Sequence, residues 1–481
     1  MTEHHRVVIV GAGFAGVGAS IALAAAGVPH VVLERASEVG GTWRDNRYPG
    51  CRCDVPSALY SYSFAPNPDW SETYSPQAEI QAYLRGVASS YGVVERVRFD
   101  TELLDASWSG SSWSLRTSTG ELSADVLVLA NGPLAEPALP DIPGLASFAG
   151  TTFHSARWPE SWDPAGRRVG VIGTGSSAVQ FVPRIQPSVD ALTVFQRTPA
   201  WVIPHRTHPV SARRRRLYRR APLAQKAVRA WIYAVHELYG LAMVRNRTDA
   251  IERLARGHLA AQVADPMLRA ALTPTFKPGC KRLLLSDDWY PALQAANASL
   301  VTERITSVVP EGVVTADGRT HELDTLILGS GFRVLDNPIY ERVHGTDGRT
   351  LAARWSGTTP RAYLGATVPG FPNLFQLAGP NTGIGHTSLL VMIEAQLRYL
   401  VDALATMDRL GAVSVDVRRP VYDRWDRELR RRSAPTVWAT GGCSSWYLDA
   451  DGGNGAVWPD LTFRFRRRTR RFDARAYEVV G

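Results

Sequence analysis

The sequence predicts an α/β fold with two Rossmann-like dinucleotide-binding domains and a helical insertion in the second domain. Two observations lead to this prediction. A short apolar segment runs into a glycine-rich loop and then into a helical pattern near the N-terminus, and the same order recurs from residue 168 onwards. The chain also has 481 residues, which is more than one hydrophobic core usually holds.

The first nucleotide-binding unit begins with the apolar strand Val7–Val10. The strand runs into a Gly-x-Gly-x-x-Gly loop formed by Gly11, Gly13 and Gly16, then into an alanine-rich helix, and a second strand ends at Glu34. The glycines allow a tight turn, a close approach of a pyrophosphate and packing of the helix on the strand, and an acid in this place accepts a ribose 2′-hydroxyl. The free N–H groups of the helix N-terminus attract phosphate, so dinucleotide binding is predicted.

The second unit repeats this device with the strand Arg168–Ile172 and the loop Gly173-x-Gly175-x-x-Ala178, in which alanine replaces the third glycine. A cation, Arg197, follows its second strand where the first unit has an acid. An acid suits a bare ribose and a cation suits a 2′-phosphate. The second site is therefore predicted to prefer NADP to NAD.

The segments between and after these units suggest how the chain is divided. A Pro-rich linker lies at residues 137–144, residues 211–270 have helical periodicity, and further helices are predicted at residues 76–91 and Leu389–Met407. We expect three parts along the chain: the first part of one domain at 1–141, a second domain at 142–332 with a helical insertion at about 208–275, and the second part of the first domain with a C-terminal tail at 333–481.

The composition is that of an ordinary globular protein, with 45% hydrophobic and 21% charged residues. No segment has the length and apolarity of a membrane span, and the chain begins with strand-like residues, so we expect no signal peptide and a cytoplasmic location. The cysteines lack the spacing of a zinc site or a redox dithiol. We therefore expect no metal, and free thiols at Cys51, Cys53, Cys280 and Cys443.

The formal net charge is +9, and only three of the 54 basic residues are lysines. Two basic runs, Arg213–Arg216 and Arg464–Arg471, could attract an anionic partner. Neither run combines interleaved aromatic residues with a recognisable nucleic-acid-binding module. We expect a solvated helix face and a solvated tail, with no nucleic-acid partner and no membrane partner.

Two longer segments match the signatures of one enzyme family. Residues 148–159 read FAGTTFHSARWP and fit Phe-x-Gly-x-x-x-His-x-x-x-Trp-Pro, and residues 40–54 read GGTWRDNRYPGCRCD and fit Gly-Gly-x-Trp-x-x-x-x-Tyr-Pro-Gly-x-x-x-Asp. The sequence thereby resembles the type I Baeyer–Villiger monooxygenases, flavoenzymes that insert one oxygen atom of O2 beside a ketone carbonyl. LANGPL and LGSGF resemble the Ala-Thr-Gly segments of such flavoproteins, with conservative departures at Asn131, Gly329 and Ser330.

The resemblance implies that the first loop holds FAD and the second holds NADPH. The implied FAD contacts lie in the first loop and in the segment after Glu34: Gly11, Gly13, Phe14, Ala15, Gly16, Glu34, Gly41, Thr42, Trp43, Asp54 and Tyr60. The implied NADPH contacts are the second loop, a clamp for the 2′-phosphate and one tryptophan: Gly173, Thr174, Gly175, Ser176, Ser177, Arg197, Thr198, Lys281 and Trp446.

The resemblance also implies a C4a-peroxyflavin that attacks a small-molecule ketone and gives an ester or lactone. Such an anion needs a nearby positive charge and exclusion of water. Arg282 in GCKRLLLSDDWYP occupies the place of the family's active-site arginine, and Asp54 resembles the carboxylate that positions it. His154 is a further candidate, for which a role in the linker between domains is favoured over proton transfer. The sequence leaves the oligomeric state open, and a monomer is compatible with it.

Three alternatives stay open at this point. A heteroatom monooxygenase acting on nitrogen or sulfur shares the Phe-x-Gly-x-x-x-His segment but lacks the Trp158-Pro159 ending found here. A disulfide reductase would need a redox-active pair, for which Cys51-x-Cys53 is poorly spaced. A flavin-binding protein without turnover would have no need of Asp54, Lys281 and Arg282 together. We expect the helical insertion to frame the substrate pocket.

Overall fold

The computed structural model describes residues 3–445, 447–448 and 452–481, and its first segment builds most of one large sheet. Strand β1 begins earlier than the predicted Val7 because its first residues pair with β6, as Glu3 does with Leu122. The elements of this segment are β1 (Glu3–Val10), α1 (Phe14–Ala25), β2 (His30–Leu33), α2 (Thr42–Asp45), α3 (Gln77–Ser90), β3 (Val97–Arg98), β4 (Leu103–Trp108), β5 (Trp113–Thr117) and β6 (Gly120–Leu129).

The second segment contains a parallel sheet interrupted by four consecutive helices, which occupy residues 212–271. Its elements are β7 (Thr151–His154), β8 (Arg168–Ile172), α4 (Ser176–Ile185), β9 (Ala191–Phe195), β10 (Val202–Ile203), α5 (Ala212–Arg220), α6 (Pro222–Val244), α7 (Asp249–Gln262), α8 (Pro266–Ala271), β11 (Leu284–Leu285), α9 (Trp289–Leu293), β12 (Ala298–Val301), β13 (Ile305–Val309), β14 (Gly312–Thr315), β15 (Thr320–Glu322) and β16 (Thr325–Leu328).

The third segment is mostly helical and adds two strands to the first sheet. Its longest helix, α11, begins after Ser388, whose hydroxyl accepts a hydrogen bond from the Leu390 backbone, and ends at Gly411 in the left-handed conformation. The elements are β17 (Val343–His344), α10 (Leu351–Arg354), β18 (Leu374–Gln376), α11 (Leu389–Leu410), β19 (Ser414–Val417), α12 (Arg419–Ser433), α13 (Val437–Thr440), α14 (Thr462–Arg468) and β20 (Tyr477–Val480).

Two sheets organise these elements. The first has the order β17-β4-β5-β6-β1-β2-β3, with β18 parallel to β6, and the second has the order β12-β9-β8-β16-β7, with every pair parallel. The chain thus returns to the first sheet after completing the second. Both glycine-rich loops follow a central strand at its carboxyl end, which is where ligands bind in such sheets. The fold class is α/β with two Rossmann-like units.

The second basic run differs from the expected solvated tail. Helix α14 buries Phe465 completely. Arg464 pairs with Asp460 at 3.0 Å, and Arg468 pairs with Glu428 of α12. The run is therefore a packed helix rather than a tail, held by these ion pairs and by Phe465, while its arginines are exposed to solvent as expected. In the described part of the chain, no helix is long and apolar enough to cross a membrane.

Candidate active site

A cleft opens beside the loop that follows β1, and the first sheet and α1 form its walls. In this loop Gly11 has a φ of +105°, and a Cβ on it would lie 2.7 Å from the Ala130 carbonyl oxygen. A Cβ on Gly16 would lie 1.7 Å from the Gly11 carbonyl oxygen, so both positions require glycine. Most of the implied FAD contacts line the cleft: Gly11, Gly13, Phe14, Ala15, Glu34, Gly41, Thr42, Trp43 and Tyr60.

The carboxylate of Glu34 is fixed at this cleft by three donors. The backbone N–H of Ala12 donates to Oε2 at 2.7 Å, and the backbone N–H of Ala36 donates to Oε1 at 3.0 Å. The Arg44 guanidinium donates to Oε1 at 3.0 Å. Arg44 also lines the cleft. It was not predicted as a site residue because it occupies a variable position of the second signature, between Trp43 and Tyr48. The acid is therefore held rigidly where a ribose hydroxyl would meet it.

The second glycine-rich loop repeats this geometry beside β8. Gly173 has a φ of +112°, and a Cβ on it would lie 2.4 Å from the Gly329 carbonyl oxygen. A Cβ on Gly329 would lie 3.7 Å from the Ala178 methyl group, so the alanine at the third position faces a residue without a side chain. Thr174 Oγ1 donates to the Thr198 carbonyl oxygen at 3.1 Å, which ties the loop to the end of β9. Helix α4 begins at Ser176, so its N-terminus lies at this loop.

Two cations approach each other close to this second loop. Arg197 is exposed and Lys281 is half-buried, and neither forms an ion pair with a carboxylate in the described residues. Burial lowers the pKa of Lys281, and the charge of Arg197 lowers it further, which places the two charges within electrostatic reach. A pair of neighbouring cations without an acid is a binding site for an anion such as phosphate.

Arg282 and Asp54 form a bidentate ion pair, although 228 residues separate them in sequence. Arg282 donates from Nε to Oδ2 at 2.5 Å and from Nη2 to Oδ1 at 2.6 Å. The charge of Asp54 raises the pKa of Arg282 further above its ordinary value. Burial alone would raise the pKa of Asp54, but the charge and hydrogen bonds of Arg282 hold it below its usual range. Both side chains are therefore charged at every physiological pH.

Short backbone pairings hold the segment that carries Arg282. Strand β11 pairs in parallel with β10, and Leu284 N–H donates to the Trp201 carbonyl oxygen at 3.0 Å. The Trp201 indole donates to the Phe276 carbonyl oxygen at 2.7 Å. The third donor of the guanidinium, Arg282 Nη1, lies 3.4 Å from the Ile384 carbonyl oxygen. The Tyr447 hydroxyl also interacts with Arg282. Neither of these last two contacts was predicted, since both join distant parts of the chain.

The cysteines correct one expectation from the sequence. Cys280 and Cys443 form a disulfide that links residues 163 apart, with their Cα atoms 6.1 Å from each other; free thiols were predicted because this proximity arises only on folding. Cys51 and Cys53 are free and buried. Burial raises the pKa of Cys51 to about 12, so its thiol stays protonated and unreactive. This pair is not the redox centre that a disulfide reductase would need.

His154 is the last residue of β7, the edge strand of the second sheet that follows the connection from the first sheet. Its Nδ1 accepts a hydrogen bond from the Ala156 backbone at 3.1 Å, and its ring packs edge-on against Phe332. Burial lowers its pKa to about 4, so the imidazole is neutral at physiological pH. Neither Arg282 nor Asp54 is among the contacts of His154 in the described part of the chain, which agrees with a role in the linker.

Comparisons with known proteins decide the family. A family model described as pyridine nucleotide-disulphide oxidoreductase matches residues 8–213. A Baeyer–Villiger monooxygenase of Streptomyces coelicolor is 49% identical over 99% of this chain and 93% of its own length. One of Pseudomonas aeruginosa is 44% identical over 99% of this chain and 92% of its own length. The chain belongs to the Baeyer–Villiger monooxygenase family.

Solved structures of this family share the fold. A steroid monooxygenase bound to NADP superimposes with a TM-score of 0.86 at 30% identity, and a cyclohexanone monooxygenase of Rhodococcus sp. Phi1 bound to NADP+ with 0.88 at 28% identity. Each comparison covers the whole of both chains. The two-signature resemblance found in the sequence therefore extends over the complete Baeyer–Villiger monooxygenase fold.

The structure brings together most of the predicted site residues of this Baeyer–Villiger monooxygenase. Most first-loop residues meet at one cleft, Arg197 lies within electrostatic reach of Lys281, and Arg282 contacts Asp54. Gly16 packs behind the first loop rather than lining the cleft. Trp446 lies outside the described residues.

Proposed function

We propose that this chain is an FAD- and NADPH-dependent monooxygenase that inserts one oxygen atom of O2 next to a ketone carbonyl and gives an ester or lactone. The observation that carries the proposal is the bidentate Arg282–Asp54 pair, with Nε–Oδ2 and Nη2–Oδ1 distances of 2.5 and 2.6 Å. It adds a permanent, oriented positive charge to a fold with two nucleotide loops. Neither loop requires such a charge, whereas oxygen insertion by an anion does.

FAD fits the first cleft on the evidence of its walls. The positive φ of Gly11 leaves the loop free of side chains where a pyrophosphate would approach, and Glu34 presents a fixed acceptor for a ribose. Trp43 and Tyr60 line the same cleft, with their rings 5.5 Å apart and the Trp43 indole donating to the Tyr60 hydroxyl. When bound and reduced, FAD supplies the electrons that activate O2.

NADPH fits the second loop in the same way. Gly173 and Gly175 form a turn that leads into the N-terminus of α4, Thr198 bonds to Thr174 of this turn, and Arg197 and Lys281 supply the charge for a 2′-phosphate. Because no described carboxylate neutralises Arg197 or Lys281, both charges are available to an anionic ligand. These residues would bind NADPH in preference to NADH.

The residues of this chain then act by charge and position. Asp54 occupies two donors of Arg282 and fixes the plane of the guanidinium, leaving Nη1 directed to the Ile384 carbonyl oxygen. Arg282 remains a cation throughout, so it stabilises negative charge that develops on oxygen without giving up a proton. His154 organises the linker between the two nucleotide units and transfers no proton.

We also propose the domain division predicted from the sequence. Residues 1–141 and 333–481 form the FAD domain, which is supported by the pairing of β17 with β4 and of β18 with β6. Residues 142–332 form the NADP domain, with its helical insertion at about 208–275 supported by helices α5 to α8. The small-molecule partners in this proposal are a ketone and O2.

The test is the effect of Arg282→Ala on the holoenzyme. Reduction of bound FAD by NADPH should persist, while ester or lactone formation from a ketone should fall by at least about 100-fold, because an active-site charge is lost. Arg282→Lys, which keeps the charge but loses the bidentate geometry, should retain part of the activity. Ester formation at the wild-type rate by Arg282→Ala would overturn the assignment.

A further inference from the structure

The two faces of helix α6 have opposite surroundings. Its inner face is held by hydrogen bonds to the proposed FAD domain. Arg229 donates to the Leu59 carbonyl oxygen at 2.9 Å, and His236 Nδ1 is 2.6 Å from the His386 carbonyl oxygen. Tyr233 shares a hydrogen bond of 2.9 Å with Thr462. The helix is therefore held in place by polar contacts on one side, and its other side faces outwards.

The outward side of α6 is apolar over about four turns. Ordinary surface helices place polar residues towards water, but six exposed apolar positions recur here at helical spacing, with the exposed Lys226 at their edge. Leu223 is 77% exposed, Trp231 71% and Leu238 68%. We call this set the apolar stripe, and its members are Leu223, Ala227, Ala230, Trp231, Ala234 and Leu238.

Helix α5 packs against α6 and supplies cations next to the apolar stripe. Six of its nine residues are arginine. Arg219 pairs with Asp69 at 2.6 Å, and Arg214 bonds to the Tyr218 hydroxyl at 2.6 Å. The remaining four form no ion pair with any described carboxylate: Arg213, Arg215, Arg216 and Arg220. Leu217 of the same helix is 50% exposed. It adds an apolar side chain to this surface on the α5 side of the turn between the helices.

We propose that α5 and α6 form a peripheral membrane-binding surface that lies on an anionic lipid bilayer. A helix with leucine and tryptophan on one side and adjoining arginines is the composition of an interfacial helix, in which apolar side chains enter the headgroup boundary and cations meet lipid phosphates. Tryptophan is enriched at this boundary. This proposal replaces the expectation of no membrane partner, which rested on the absence of a membrane span in the sequence.

Charge complementarity selects the bilayer over other occupants. A second copy of the chain packed through the same surface would offer the arginines no anionic partner, because the one carboxylate of α5 and α6, Glu237, is buried. A nucleic acid would use the arginines but would leave Leu223 and Leu238 of the stripe, which have no hydrogen-bonding group, without a partner. An anionic bilayer satisfies the apolar and the charged parts together.

The test is co-sedimentation of the FAD-loaded protein with vesicles of phosphatidylcholine containing about 30% phosphatidylglycerol, compared with vesicles of phosphatidylcholine alone. The wild-type protein should bind the anionic vesicles and be released by about 0.5 M NaCl. The triple variant R213S/R215S/R216S should bind roughly 100-fold more weakly, and W231S/L238S about tenfold more weakly. Bound FAD and the melting temperature should be unchanged in both.

Two matched controls separate this surface from general stickiness. R304S/R319S/R349S removes the same number of arginines from outside the α5–α6 region, and L139S/L410S removes two exposed leucines outside it; both should bind as the wild-type protein does. Absence of wild-type binding, or equal losses in the controls, would overturn the proposal. So would a dimer in sedimentation velocity that W231S/L238S converts to monomer, because the stripe would then be an interface between copies.

Discussion

Asp54 determines how the Arg282 charge is presented. The carboxylate takes two of the guanidinium's donors, at 2.5 and 2.6 Å, and the Ile384 carbonyl oxygen takes a third at 3.4 Å. Both pKa shifts favour the charged forms. The ionised Asp54 contributes stability above its unfolded pKa of about 4, and that contribution is lost only as the pH falls through its lower folded value. The pair therefore does not titrate in the range where the enzyme works.

Asp54→Asn should separate the position of Arg282 from its charge. The cation remains, but its plane is no longer fixed by two charged hydrogen bonds, so the rate of ester formation should fall on the order of 100-fold. Reduction of FAD by NADPH should change little, and stopped-flow measurement of the two half-reactions separates them. Asp426→Asn is the control, because Asp426 pairs with Arg361 at 3.0 Å in a similarly part-buried contact on α12. Equal oxygenation rates in the two variants would contradict the positioning role.

His154→Asn tests the neutral state of the linker histidine. Burial lowers the folded pKa of His154 to about 4, whereas the unfolded value is about 6.5. Between these values only the unfolded chain binds the proton, so the wild-type protein loses stability as the pH falls through this window. The loss should exceed that of His154→Asn by about 2 kcal/mol in denaturant unfolding at pH 6.5 and 4.5. Asparagine can still accept from Ala156, and identical losses in both proteins would show that His154 titrates normally.

Among the larger elements, the residues after β9 and the segment before β11 together form the predicted phosphate clamp. The double variant R197A/K281A should raise the KM for NADPH by about 10- to 100-fold, because two charge-assisted contacts to the 2′-phosphate are lost. The KM for NADH should stay unchanged, since NADH carries no such phosphate. Lys277→Ala removes an exposed lysine from the same segment and should alter neither value. A parallel rise for both cofactors would place the two residues outside the clamp.

Helix α6 is joined to the Ile384–His386 segment by a buried polar cluster. Glu237 Oε1 accepts from Thr462 Oγ1 at 2.5 Å and contacts His386 Nε2 at 3.3 Å. Burial opposes ionisation of Glu237, but the hydrogen bonds of His386 and Thr462 lower its pKa. Glu237→Ala would leave His386 Nε2 without this partner and Thr462 Oγ1 with Tyr233 alone, at a cost of about 1–3 kcal/mol in the free energy of unfolding. Glu252→Ala, which breaks an exposed pair with Arg256, should cost less than about 0.5 kcal/mol.

Denaturant unfolding compares the two glutamate variants directly. If Glu237→Ala is no less stable than Glu252→Ala, the cluster does not hold α6 in place. Loss of activity without loss of stability would instead assign Glu237 to the chemistry rather than to the packing of α6.

The elements that the sequence predicted well are those whose residues are neighbours in the chain. The turns at Gly11 and Gly173 follow from local backbone geometry, and α11 ends near the predicted boundary because its apolar period continues to Gly411. Contacts between distant segments could not be predicted from the sequence. They are the Cys280–Cys443 disulfide and the contacts of Arg282 with the Ile384 carbonyl oxygen and with Tyr447. The early start of β1 depends on pairing with β6. Arg282 and Asp54 were paired only through the resemblance of their motifs.

At the scale of the whole molecule, two nucleotide-binding sheets share one chain that leaves the first sheet and returns to it. The active-site pair bridges this arrangement, because Asp54 follows the first unit and Arg282 belongs to the segment after the helical insertion. Helix α6 contacts His386 on its inner face and forms part of the outer surface with its other face. The cytoplasmic location stays a prediction from the sequence, which leaves the oligomeric state open.

The most direct test of the account is the fate of oxygen. The FAD-loaded protein should be incubated with NADPH, oxygen-18 gas and a cyclic ketone such as cyclohexanone, and the product examined by mass spectrometry. The account predicts a lactone that carries one oxygen-18 atom, formed with consumption of one NADPH and absent from Arg282→Ala. Hydrogen peroxide as the sole product across a panel of ketones, or label found only in N-oxides or S-oxides of amine and sulfide substrates, would contradict it.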